Sequence, residues 1–556
     1  MSIADGGIRD VTLQSERMEW VDQDIKTHHE HLEKTKSLGN EGEGEGDQAP
    51  PPESPFKHMP RRKAAKVFWK VVICCVMVAW TAIMDGFLIT IPGSIVANTY
   101  FIKQFATVCS KGSCALDARY VGAFTGVQSV GQIIGMLGGP ITSDMFGRKF
   151  NLAMLTVILS IGVILELVAK TNPVWLVARL FAGWGTGIAQ STIPVYISEI
   201  APHMLRGALL ATYNFWFGVG QFAGAIALQV ATGLVGYKQP IYAQWVFIGV
   251  MVPVWFIIPE TPWYYINKNQ PEKAKRSMRY LNGSIKGYDV DLEYRVLNYE
   301  RELQERMARE AASAGYTELF KGSNGRRTWI SWLPLQFQGL GGLSFVLSYT
   351  TYFFQLAGVP NPFLGNVIVK TLQLSAQIVS FYNIEKFGRR PLLLIGGMGM
   401  MLMNLAIAIV GTIPNWQIPG GLVVALFCIW TWSYSSSCAP IGYCYLAEIS
   451  TPRLRAKTAG FAAACTACVG IVTNFCTPLL LSTQAAGWSY KTGYLFFGTS
   501  LLGWIAMFFT VPEVRGRTYE DLDELFEAKV PTRKFPQTKT KGQLEREREG
   551  ADGQEA

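Results

Sequence analysis

The sequence predicts an all-α membrane protein of twelve spans arranged as two six-helix halves, and two observations of composition lead to it. Hydrophobic residues fill 49% of the 556 positions and charged residues only 16%, against roughly 25% charged in soluble domains. The missing charge is concentrated. Between Val71 and Ile102 the only Asp, Glu, Lys or Arg is Asp85, and from Leu392 to Ala447 there is none. About 20 apolar residues cross a bilayer core, so the second stretch holds more than one span. This excludes an ordinary soluble enzyme, a disordered scaffold and a small disulfide-rich secreted domain.

Apolar runs between polar breaks predict spans at 67–91, 119–141, 150–170, 174–195, 207–231 and 241–258, then at 329–355, 364–384, 391–412, 420–446, 456–482 and 491–511. The net charge of +9 lies mainly in short loops, which is a topology signal and not a nucleic-acid face. Basic residues cluster in alternate loops: Arg148 and Lys149, His203 and Arg206, Lys386 with Arg389 and Arg390, then Arg453, Arg455 and Lys457. Those loops are expected in the cytoplasm, and an even span number puts both termini there.

Residues 1–66 carry alternating Glu and Gly followed by Pro50-Pro51-Pro52, with no apolar signal segment, and read as a disordered cytoplasmic tail. The segment 259–328, rich in both charge signs at helical spacing, reads as a cytoplasmic loop of short helices between the halves 67–258 and 329–511. A second cytoplasmic tail follows at 512–556. Eight of the ten cysteines fall within predicted spans. Only Cys109 and Cys114, in the first outer loop, could pair. No Cys/His cluster has metal-ligand spacing, so no metal, cofactor or catalytic residue is expected.

The strongest signal is internal. Asp144-Met145-Phe146-Gly147-Arg148-Lys149 follows span 2, and Glu385-Lys386-Phe387-Gly388-Arg389-Arg390 follows span 8. Glu199 precedes Arg206 by seven residues after span 4, as Glu448 precedes Arg455 after span 10. Duplicated signatures at matched places fit a transporter whose site lies between its halves.

With these loops, Pro194-Val195-Tyr196-Ile197-Ser198-Glu199, Pro259-Glu260-Thr261-Pro262-Trp263 and Pro512-Glu513-Val514-Arg515-Gly516-Arg517-Thr518, the chain resembles the sugar porter family of the major facilitator superfamily over about residues 67–527. Leu205-Arg206-Gly207, Asn214, Ala243-Gln244-Trp245 and Tyr349-Thr350-Thr351-Tyr352-Phe353 look most like the fungal maltose and α-glucoside permeases. The loop charges Asp144, Arg148, Glu199, Arg206, Glu385, Arg389, Glu448 and Arg455 are the candidate cytoplasmic gate, ion pairs that break as the cavity opens inward. Met145 stands where the family usually has Arg.

Ionisable groups inside a membrane are costly and usually functional. Asp85 lies deep in span 1 and Arg179 near the start of span 4. The resemblance implies that Asp85 is the proton site and Arg179 its partner. Glu166, at the outer end of span 3, reads as interfacial.

Sugars are held by amides, hydroxyls and aromatic faces. The resemblance implies a substrate site from Gln338 and Ser344 in span 7, Asn214 in span 5 and Gln373 in span 8, with Tyr349 and Tyr443 supplying ring surface. Gly339 and Ser344 each replace a family amide, which agrees with a disaccharide-sized cargo. Lys370, one turn before Gln373, is expected to snorkel outward; were it to face the cavity, an anionic substrate would follow. The function expected is proton-coupled import of a sugar, maltose or another α-glucoside, by alternating access at the plasma membrane. The protein is expected to act as a monomer whose partners are the sugar, protons and lipid. The alternative is a carrier, even an exporter, of a non-sugar or anionic metabolite; a nutrient sensor is a lesser one.

Overall fold

The computed structural model describes residues 54–540 and 543, apart from 57–58, 111–112, 233–235, 314, 414–418, 452, 483–484, 516 and 518. Among the described residues twelve long rods account for the twelve predicted spans. Span 1 is two helices, Trp69–Trp80 and Ala82–Ile95. They meet at Thr81, whose hydroxyl and N–H both bond the Val78 carbonyl at 2.6 and 3.1 Å. Spans 2 to 6 are Ala118–Phe146, Arg148–Val168, Asn172–Ile200, His203–Thr232 and Gln239–Ile257.

In the second half, span 7 is Gly322–Leu340 continued through a wide π turn, Ser344–Ser348, into Thr350–Leu356. Spans 8 and 9 are Pro362–Phe387 and Arg389–Val410. Span 10 joins Gly420–Ser433 to Ala439–Ile449 through a second π turn, Tyr434–Cys438, and spans 11 and 12 are Arg455–Leu481 and Thr492–Thr510. Both π turns lie in the second half, and span 4, the counterpart of span 10, is continuous; irregular backbone inside a membrane protein is tolerated where protein or water covers it.

Several helices outrun their apolar segments toward the face of the Gly147 and Gly388 loops, hereafter the basic face. Span 4 runs to Ile200 and span 7 starts at Gly322. By length and apolarity alone, eight helices qualify to cross a membrane, and spans 2, 4, 7 and 8 do not. Their polarity has a packing cause in the first half. Spans 2 and 4 meet through Gly131 and Gly135 on one side and Gly183 and Gly187 on the other, each set against backbone of the facing helix. Glycine spacing of this kind lets two membrane helices approach closely.

The arrangement respects the repeat. Span 2 packs on span 4 and span 1 on span 5; across the halves, span 2 packs on span 11 and span 5 on span 8. Exchanging the halves turns the first cross-half contact into the second. Between the halves run helices Pro262–Asn267, Pro271–Asn282 and Val290–Ser313, the last held to the first by Arg301, whose guanidinium donates to the Ile266 carbonyl at 3.0 Å.

Parts of the segments read as tails are helical and packed on the bundle. Residues 1–53 lie outside the described residues, but Phe56 is buried against Phe68 and Tyr288, and Arg61–Val67 is helical. After span 12, helix Tyr519–Glu527 and turn Thr532–Gln537 fold back on the second half and bury Phe526 and Phe535, with Arg326 donating to the Val530 carbonyl at 2.8 Å. An apolar residue every few positions was enough to dock segments whose overall composition is polar. In the first outer loop, Val108–Ser110 and Ser113–Ala115 form a two-stranded antiparallel ribbon in which Cys109 stands opposite Cys114; their side chains lie outside the described residues.

Candidate functional site

The basic face repeats one construction twice. Gly147 and Gly388, at φ 105° and 84°, turn the chain between spans 2 and 3 and between spans 8 and 9. Side chains rarely adopt that backbone region. At both positions a Cβ would also press on a glutamate carboxylate, that of Glu260 or Glu513. Glu260 accepts from the N–H groups of Arg148 and Lys149 at 3.0 Å each, and Glu513 from those of Arg389 and Arg390 at 3.1 and 2.9 Å. Each acid thus fills the exposed donors and positive end of the helix that follows. Burial pushes the Glu260 carboxyl up from its ordinary value, against the pull of those N–H groups.

Arg148 then pairs with Glu199 at 2.8 Å and Arg389 with Glu448 at 2.9 Å. The phenols of Tyr196 and Tyr445 donate to the carbonyls of Pro259 and Pro512, both at 2.8 Å. Asp144 also reaches Arg148, at 3.1 Å, but is 72% exposed, where an ion pair contributes little. Of the candidate gate residues the structure therefore groups Asp144, Arg148 and Glu199, and separately Arg389 and Glu448. Arg206 and Arg455 open spans 5 and 11, and the side chain of Glu385 lies outside the described residues. These ion pairs each stay within one half.

Polar contacts between the halves gather toward the opposite face. The Tyr349 hydroxyl lies 2.6 Å from Thr125 Oγ1 and from the Asn474 carbonyl. Thr351 Oγ1 donates to Ser94 Oγ at 3.0 Å, and Asn474 Nδ2 to Ser129 Oγ at 3.2 Å. Gly93 lets span 1 meet span 7 so closely that a Cβ there would overlap the Ser348 carbonyl. This face is closed.

Midway between the faces sits Asp85, 2% exposed. Gln190 Nε2 in span 4 donates to both its oxygens, at 3.1 and 3.0 Å, and the Tyr213 hydroxyl in span 5 donates to Oδ2 at 3.0 Å. Gln132 in span 2 holds Gln190 in turn, Nε2 to Oε1 at 2.7 Å. The Gln190 amide can only donate from Nε2, whereas the Tyr213 hydroxyl can donate to the carboxyl or accept from it.

The expected partner is elsewhere. Arg179 is fully buried against Glu166, which also accepts from Gln244 Nε2 at 3.0 Å, and its guanidinium lies 5.0 Å from the Trp175 ring. Two expectations are corrected together: Arg179 does not face Asp85, and Glu166 is not interfacial. A buried guanidinium needs the nearest carboxylate, and the neighbouring span supplies one.

Among the residues expected to bind substrate, Gln338 donates to the Cys438 carbonyl at 2.9 Å and accepts from Tyr434 at 3.3 Å, tying span 7 to span 10. Ser344 Oγ lies 3.0 Å from Thr473 Oγ1. Tyr349 is in the closed face, with no exposed ring. Asn214 is exposed beside Tyr213. Tyr443, in the second helix of span 10, is 65% exposed. Lys370 does not snorkel: it is buried, turned toward Gln221 and Gln373. Sequence reading missed Gln132, Gln190, Tyr213 and Gln221; amides inside apolar spans were the available signal.

Twelve rods in two related halves, closed at one face around a buried polar centre, define a multi-pass membrane transporter of the major facilitator type. Residues 74–526 match the family model described as "Sugar (and other) transporter", and the chain belongs to that family. It is similar to the major facilitator-type transporter ecdD of Aspergillus rugulosus, 27% identical over 476 residues covering 82% of this chain and 87% of that one. It is also similar to the general alpha-glucoside permease of Saccharomyces cerevisiae, 26% identical over 507 residues covering 88% and 81%. Among solved structures, the inward open xylose transporter XylE from E. coli superposes with a TM-score of 0.64 at 20% identity, over 82% of this chain and 99% of that one. Relatives so nearly equidistant establish the sugar transporter class without selecting one sugar.

Proposed function

We propose that the protein imports a sugar together with a proton, the sugar being an α-glucoside such as maltose, by alternating access at the plasma membrane with both termini in the cytoplasm. The observation that carries this reading is Asp85, a carboxylate buried within the bundle beside a closed face, with the exposed side chains of Tyr443 and Asn214 read as lining the space for the sugar.

Its hydrogen bonds suggest how protonation moves the halves. Gln190 offers Asp85 only N–H donors. A proton on the carboxyl makes one oxygen a donor: on Oδ2 it can be given to the Tyr213 hydroxyl, whereas on Oδ1 the Gln190 amide has to turn its Oε1 toward it and release Gln132. Gln132 belongs to span 2 and Tyr213 to span 5, two of the spans of the first half that pack on the second. Proton and sugar occupancy therefore act on the same pair of interfaces, as coupled alternating access requires. Amides and phenols around the space suit sugar hydroxyls and ring faces.

The test is uptake of labelled glycosides, maltose first, in a host lacking its own sugar carriers, with the pH of an unbuffered suspension recorded. Uptake with matched alkalinisation is the expected result. Absence of both for every glycoside tried would overturn the reading.

A further inference from the structure

Lys370 lies in the third turn of span 8, near the closed face, and is 2% exposed. Its Nζ is 3.0 Å from Gln221 Oε1, 3.2 Å from Gln373 Oε1 and 3.4 Å from the Leu347 carbonyl. All three partners are acceptors. A neutral amine has two N–H groups and would turn its lone pair on the third oxygen, whereas an ammonium has three donors. Three acceptors around one nitrogen suit an ammonium, which can donate to all of them at once. Yet the ion pairs among the described residues of the spans include those of Arg148, Arg179, His203, Arg327 and Arg389, and Lys370 belongs to none of these.

An uncompensated charge inside a membrane protein is costly and marks a pathway or a ligand. The cheaper solution was at hand. A lysine three turns from a helix end can extend its stem to the interface, and this one folds inward. Its position is also informative. Gln221 lies two turns along span 5 from Asn214, on the same face of the helix, and Gln373 lies one turn along span 8 from Lys370. The ammonium therefore joins amides contributed by both halves, Gln221 of span 5 and Gln373 of span 8, near the closed face.

Amides and hydroxyls suffice to bind a neutral sugar, and an ammonium adds nothing that they lack except charge. We infer that Lys370 recognises an anionic group on the cargo, so that the substrate class is a sugar carrying a carboxylate, such as an aldonate glycoside or a uronate. This rests on the sugar-transport reading above and narrows it. It also has an electrical consequence: one monoanion moving with one proton on Asp85 carries no net charge, whereas a neutral sugar with a proton carries one.

The test uses the full-length chain in proteoliposomes with two labelled probes that share an α-glucosyl unit, maltose and its aldonate, maltobionate. Wild type is expected to take up maltobionate down a proton gradient at a rate insensitive to a membrane potential set with potassium and valinomycin. Maltose uptake is expected to respond to that potential. Lys370→Met is expected to lower the ratio of maltobionate to maltose uptake at least about tenfold, and Lys370→Arg to keep it.

The inference fails if wild type carries maltose with protons while maltobionate, gluconate and glucuronate neither enter nor compete, a result that leaves the sugar-transport reading standing. It fails equally if Lys370→Met, present at wild-type amount and monodisperse, lowers both uptakes by the same factor, as a mere clamp between halves would. Competition by the acids against maltose needs only wild type and decides the matter should the variants not fold. If neither probe enters and no proton moves, the reading of a proton-coupled sugar carrier falls with it.

Discussion

Glu166 and Arg179, on adjacent spans of the first half, neutralise one another with both side chains fully buried. Gln244 from span 6 completes the group, so three spans are joined at one point far from Asp85's hydrogen bonds. Breaking a buried pair leaves a lone charge and costs about 3–5 kcal/mol. Glu166→Gln and Arg179→Leu are therefore each expected to lower the melting temperature and the amount of protein reaching the membrane, whereas the double variant Glu166→Gln/Arg179→Leu recovers part of the loss. Thermal unfolding in detergent checks this. Recovery of stability with proton coupling intact is the outcome expected of a strut; loss of coupling in a stable double variant would return Arg179 to the proton mechanism.

Asp85→Asn keeps the shape of the side chain but cannot titrate, and its amide puts a donor in place of one acceptor oxygen. Gln190 and Tyr213 can still donate to its carbonyl oxygen, so the fold is expected to survive. Uphill accumulation of sugar is expected to vanish while exchange of labelled for unlabelled sugar persists within about threefold, since exchange needs no net proton movement. Unchanged accumulation would remove Asp85 from the coupling step.

Gly93 tests the closed face. A methyl group there meets the Ser348 carbonyl, and forcing extra volume into a tight contact costs about 1–3 kcal/mol. Because that contact exists only while this face is shut, the cost falls on one conformation and shifts the population toward the other. Gly93→Leu is expected to depress uptake about tenfold or more while sugar binding changes much less. The readout is uptake beside equilibrium binding, together with faster labelling of a cysteine placed at Ser94. Equal losses of binding and uptake would mean a folding defect and not a shifted equilibrium.

What could be read from the sequence follows from how local each signal is. The spans were legible because one bilayer sets one length, and the repeated loops because glycine, arginine and glutamate each have a position-specific task there. Tyr196 and Tyr445, three residues before Glu199 and Glu448 respectively, were not singled out, because their hydrogen bonds to Pro259 and Pro512 need the fold. Arg179's partner was not legible either. Glu166 lies four residues from Lys170 at the end of an apolar run, which reads as the membrane surface; only the rotation of span 3 about its axis shows that the carboxylate turns inward. Lys370 failed likewise, since snorkelling and burial differ by a side-chain direction that residue spacing does not encode.

The duplicated acids Glu260 and Glu513 offer a test of the repeat itself. Each serves two backbone N–H groups at the start of the following span, so Glu260→Ala and Glu513→Ala are each expected to cost about 1–2 kcal/mol, as lost helix caps do. Glu260→Gln is expected to cost less than Glu260→Ala. It keeps one acceptor and sheds a charge that burial opposes. The sign follows from linkage. With the folded value raised above the ordinary 4.5, the favourable contribution of protonated Glu260 is complete below 4.5 and is lost as pH rises through the folded value. Wild type should therefore gain stability over Glu260→Gln as pH falls from neutral toward 4.5, while Glu260→Gln lacks that response. Melting curves of both proteins across that range decide it. Parallel curves would mean that the carboxylate is not held in a desolvated place, and that only its hydrogen bonds matter to the turn at Gly147.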